Sequence, residues 1–172
     1  MNAKFFGQYE ITAGYQALFW YIFLVDNSST PSDKFFDDFL SSESFELFCQ
    51  PFLKKRTRGQ NDRFLEGAFS REALQISNFR KLTRENLLNF LSDYAKSENW
   101  GNDRKDFTTI LEQFEKPLKQ ESAPFFSLIS KEWFKKKDNL LNADAEIYIY
   151  FMLIMWFDAE KKILNVCQWS YD

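Results

Sequence analysis

Few side chains in this 172-residue chain could do chemistry. It contains no histidine, two cysteines and five glycines. Histidine is the usual general base near neutral pH and the commonest metal ligand, so its absence removes most triad and metal-site chemistry. No Gly-x-Gly-x-x-Gly, Gly-x-x-x-x-Gly-Lys-Ser/Thr, Ser-x-x-Lys or Gly-x-Ser-x-Gly pattern occurs, which leaves no phosphate-cradling loop and no activated serine. Cys49 and Cys167 lie too far apart for a metal or redox motif and read as two buried free thiols. The residues argue for no catalytic group, no metal and no cofactor. They lean instead toward binding.

Carboxylates are the exception. Asp33, Asp37, Asp38, Glu43 and Glu46 fall within fourteen residues. On a helix Asp33 and Asp37 share a face, where like charges repel by about 0.2–0.5 kcal/mol. They read either as a solvated helix face opposite Phe35, Phe36 and Phe39, or as an acidic surface that engages a basic partner. A paired-carboxylate active site would need a second acid in an apolar setting, and nothing in the sequence supplies one. The charge is also blocked along the chain, with a balance of −5 over residues 1–50, +6 over 51–84 and −4 over the remainder. Such blocks are how surfaces select charged partners.

The basic block holds Lys54, Lys55, Arg56, Arg58 and Arg63, then Arg71, Arg80, Lys81 and Arg84. With Phe52, Phe64 and Phe69 nearby it is the best case for nucleic acid. No nucleic-acid motif surrounds it and the chain as a whole is acidic, so a solvated loop and helix surface is the simpler reading. Trp100 sits in a polar break beside Gly101 and Asn102. If exposed, it would be an interface anchor.

The elements that must position these residues read mainly as amphipathic helix. The spacing predicts a buried helix over Tyr15–Val25, a helix capped by Ser32 carrying Phe35, Phe36, Phe39 and Leu40, and another over Glu43–Leu53. Lys54–Arg63 reads as an exposed loop and Ser70–Leu82 as a further helix. Thr83–Lys96 and Asp103–Gln120 carry clear apolar stripes, with Pro117 expected to kink or end the second. Another helical stripe follows Pro124, with Phe125, Phe126, Leu128, Ile129, Trp133 and Phe134. Glu146–Asp158 and Ile163–Tyr171, separated by four polar residues, read as a β-hairpin, with a single helix starting at Asn142 as the competitor. The expected fold is therefore mainly α, a single-domain helical bundle over 1–172 with a C-terminal β-hairpin. The longest apolar run, Ile147–Phe157, is too short to span a bilayer, and no cleavage site follows Ala17–Val25, so the expectation is a cytoplasmic protein without a membrane partner.

In overall character the chain resembles the immunity proteins of bacterial contact-dependent growth-inhibition systems. The stretches KFFDDFLSSESFELF and AEIYIYFMLIMWFDAEKKILNVCQWSYD carry that resemblance, which spans the chain loosely and contains no diagnostic motif. It implies a non-catalytic protein that binds and neutralises a cognate toxin domain, a nuclease with a basic cleft being the natural match for an acidic inhibitor. The partner-binding candidates are then Asp33, Asp37, Asp38, Glu43, Glu46 and Trp100. The competing readings are a nucleic-acid-associated regulator using residues 51–84, and a structural or adaptor subunit.

Overall fold

Residues 3–25 form a hairpin in the computed structural model, which describes residues 3–26, 31–49, 74–97, 100, 103–129 and 150–171. Strand β1 (Ala3–Ala13) turns through Gly14 and Tyr15 into β2 (Gln16–Val25). Gly14 has φ +57°, a backbone conformation that favours glycine, and a Cβ there would also push the Asp106 carboxylate aside. A second hairpin joins β5 (Tyr150–Asp158) to β6 (Ile163–Tyr171) through the four residues 159–162. The Asp158 carboxylate accepts from the backbone N–H groups of Glu160 and Lys161 at 3.0 and 2.9 Å and holds that turn. With β3 (Arg80–Leu82) and β4 (Phe125–Ile129), these strands form one six-stranded antiparallel sheet in the order β1-β2-β6-β5-β4-β3.

Helices cover both faces. On one side lie α1 (Asp33–Leu40), α2 (Glu43–Phe48) and a single 3-10 turn at Ile76–Asn78. On the other lie α3 (Arg84–Ser97) and α4 (Arg104–Leu118), with Pro117 accommodated in the last turn of α4. Alternate residues of β5 feed the two cores. Phe151, Leu153, Met155 and Phe157 point toward α1–α2, while Met152, Ile154 and Trp156 point toward α3–α4.

This architecture overturns the mainly α reading: the protein is a mixed α/β sheet fold, and the descriptor α-helical does not apply. Of the buried helix expected over Tyr15–Val25, Tyr15 is an exposed turn residue and Gln16–Val25 is strand β2. A strand buried on both faces is apolar at nearly every position, so its sequence shows neither the alternation of a one-sided strand nor a helical stripe. The helix expected after Pro124 begins instead as β4, because Phe125 and Phe126 serve opposite cores. The helix expected over Ser70–Leu82 is, from residue 74 onward, the 3-10 turn and β3. The loop expected at Lys54–Arg63 lies outside the described residues.

Candidate functional site

The acidic segment folds as two short helices. Ser32 and Ser42 cap them, each side-chain oxygen accepting from the backbone N–H three residues on, at 3.2 Å for Phe35 and 3.3 Å for Phe45. Isolated helices of this length are marginal in water, so packing must hold them. Phe35, Phe36, Phe39 and Leu40 are buried, and edge-to-face contacts run from Phe39 to Phe23 at 4.9 Å and to Phe45 at 5.6 Å. The Ser44 hydroxyl donates to the Ala3 carbonyl at 2.8 Å and ties α2 to the edge of the sheet.

With the phenylalanines turned inward, the carboxylates face outward. Asp33, Asp38 and Glu43 are exposed, and Asp37 and Glu46 are half-buried. Lys34 is the one cation among these two helices and bridges to Asp38 at 2.8 Å. Its pKa is raised by that hydrogen bond and by the attraction of the same carboxylate. Five carboxylates against one ammonium group make a locally acidic surface. Asp37 has a structural task as well: its Oδ1 accepts from the Ile76 backbone N–H at 2.6 Å, across 39 residues of sequence.

Trp100 is not part of this surface. It is 5% exposed, packs against Phe107 at 4.9 Å and stacks on Tyr171 at 6.0 Å, and its indole N–H donates to the Tyr94 carbonyl at 3.3 Å. The expected anchor is therefore a core residue under α3–α4. Its polar sequence neighbours hid this, because the contacts that bury it come from Phe107 and Tyr171.

Of the basic block, only Arg80, Lys81 and Arg84 fall in described elements. Arg80 lies over the Phe90 ring at 5.0 Å and Lys81 over Phe126 at 5.6 Å. Arg84 donates to the carbonyls of Leu118 and Lys119 at the end of α4. All three are engaged within the fold. A cavity of about 340 Å³ between α3 and α4 is lined by Arg84, Glu85, Leu88, Asn89, Glu115 and Lys119, with charges of both signs in balance.

Among the described residues no group of three or more cysteine or carboxylate side chains could hold a metal ion. Cys49 and Cys167 are both free and fully buried on opposite faces of the sheet, and burial pushes both thiols well above their ordinary range. The sequence reading missed the other exposed feature, the aromatic edge strand β1, where Phe6 and Tyr9 are 66% and 62% exposed. Its signal was the Gly14 turn between two segments of strand-forming residues. Among the described residues no helix is long and apolar enough to cross a membrane.

No family model matches the chain, and no curated protein matches it. Two crystal structures of citrus MAF1 align with it at TM-scores of 0.39 and 0.33 and identities of 12% and 13%. The alignments cover 94% of this chain and 91% and 90% of those chains. Likeness at that level carries no argument about this protein.

Proposed function

We propose that this chain is a non-catalytic immunity protein of the cytoplasm that binds a cognate toxin domain, a nuclease, and neutralises it through the outer face of α1 and α2. The observation that carries the reading is the five-to-one excess of carboxylates on two capped helices that bury Phe35, Phe36, Phe39, Leu40 and Phe45 in the core. Nucleases need a basic cleft for phosphates, and an acidic inhibitor is steered into such a cleft at a rate that salt screens. A face held rigid by caps and packing presents its charges with little ordering cost on binding. The engagement of Arg80, Lys81 and Arg84 within the fold weighs against nucleic acid as the direct ligand.

The test uses the protein encoded directly upstream of this chain. Surface-captured wild type should bind it with an association rate that falls steeply as salt rises, and should protect cells that express it. Reversing Asp33, Asp38 and Glu43 to lysine together should slow association at least tenfold and abolish protection, with an unchanged far-UV spectrum. Asp37 is left out because its reversal would break the contact to Ile76. Retained binding in the triple variant, or wild-type binding to nucleic acid in place of protein, would overturn the reading.

A further inference from the structure

Away from the acidic helices, charged side chains converge on the cavity of about 340 Å³ between α3 and α4. The two helices run antiparallel. Arg84 at the start of α3 donates to the carbonyls of Leu118 and Lys119 at the end of α4, and Arg104 at the start of α4 donates to the Lys96 carbonyl at 3.4 Å. Along the groove, Glu85 therefore lies level with Lys119, while Leu88 and Asn89 lie level with Glu115. The Arg84 guanidinium is committed to the end of α4. The carboxylates of Glu85 and Glu115, the Lys119 ammonium group and the Asn89 carboxamide have no hydrogen bond or ion pair among the described residues. Two free carboxylates against one free ammonium group leave these charges at a net −1.

We propose that this cavity binds a free amino acid with a linear cationic side chain, for which lysine has the right length. Its carboxylate meets the Lys119 ammonium group, beside the positive charge of Arg84, and its α-ammonium group meets Glu85. Its methylene chain runs along Leu88, and its ε-ammonium group reaches Glu115 and the Asn89 carboxamide oxygen.

Length and charge select this class. Glu115 and Lys119 are four residues apart on one helix, a rise of about 6 Å. The extended lysine side chain carries its ammonium group about 6 Å from its Cα, across five bonds of about 1.5 Å each. At neutral pH the free amino acid has two ammonium groups and one carboxylate, the inverse of the two carboxylates and one ammonium group that face it. Glu85, Glu115 and Lys119 are exposed, and a single ion pair in that setting contributes little, so binding depends on making all three together. A simple anion or a simple diamine can make only part of the set. The volume suits a molecule of this size. This inference does not rest on the proposed toxin partner.

Amide NMR titration of the whole chain with L-lysine tests it. Lysine should shift the amides of Leu88, Asn89, Glu115 and Lys119 in a saturable way, with a Kd of about 1 mM or tighter. Glu115→Gln and Lys119→Gln should each weaken binding at least fivefold with an unchanged far-UV spectrum. Cadaverine, which lacks the carboxylate, should bind at least fivefold more weakly than lysine to the wild type. Nα-acetyl-lysine separates a free amino acid from a lysine at the end of a polypeptide, and it should also lose at least fivefold. A wild type without saturable shifts at these amides would overturn the inference. So would full affinity in either variant, or binding of cadaverine or Nα-acetyl-lysine as tight as that of lysine.

Discussion

The layers on either side of the sheet solve the same burial problem with different material. All four tryptophans among the described residues, Trp20, Trp100, Trp156 and Trp169, lie on the α3–α4 side under helices of 14 and 15 residues. Among the described residues the α1–α2 side has no tryptophan in its core and carries helices of eight and six residues on a bed of phenylalanine. Large indoles give the thick layer its stability through packing. The thin layer depends on caps and tethers, and it is the layer that presents the carboxylates. The acidic surface and the tryptophan-rich core are therefore on opposite faces of one sheet.

The hardest blow to that contrast is aimed at the thick layer. Trp156 is fully buried and touches the rings of Trp20 at 5.0 Å, Phe125 at 5.2 Å and Phe114 at 6.3 Å. Trp156→Ala should cost about 3–5 kcal/mol in urea unfolding. A loss below about 1 kcal/mol would mean that the tryptophans do not dominate that core. Next comes the tether of the thin layer. Asp37→Ala leaves the Ile76 N–H without its acceptor and should cost about 2 kcal/mol, with faster exchange of that amide while α3 and α4 stay protected. Uniform loss of protection over both layers would show that they are not separable.

A smaller effect is expected at the end of β6. The Tyr171 hydroxyl donates to the Asp103 carboxylate, and that hydrogen bond, with burial and the same negative charge, raises the phenol to about 12. Because the folded value lies above the ordinary value of 10.0, its contribution is fully present below pH 10 and is lost as pH rises toward 12. Tyr171→Phe should cost about 1.5 kcal/mol at neutral pH and flatten this alkaline loss, followed by chemical unfolding at several pH values. An unchanged alkaline profile in the variant would assign the loss to other groups. The mildest test is at the caps, where Ser32→Ala should cost about 1 kcal/mol and lower the amplitude of the α1 helix signal. No change there would place the stability of α1 wholly in its phenylalanines.

Much of the candidate site was legible because its determinants are local. Ser32 followed by Phe35, Phe36 and Phe39 states a capped helix with one apolar side, and the carboxylates are left on the other. Thr83, whose hydroxyl accepts from the Asn86 N–H, marks the start of α3 in the same way. What could not be read was any contact made across long separations. The link from Asp37 to Ile76 and the stacking of Trp100 on Tyr171 depend on segments brought together by the fold.

The amino-acid sequence by itself determined the short-range features: the capped acidic helices, the stripes of α3 and α4, the C-terminal hairpin and the lack of histidine chemistry. Each follows from residues within one or two turns of one another. The tertiary structure alone decided the fold class, because β2, β5 and β6 are sandwiched between two helical layers. A strand buried on both faces has no polar side to reveal its period, so Gln16–Val25 carries the same apolar run whether it becomes a helix or the middle of a sheet. Only its pairing with β1 and β6 settles which.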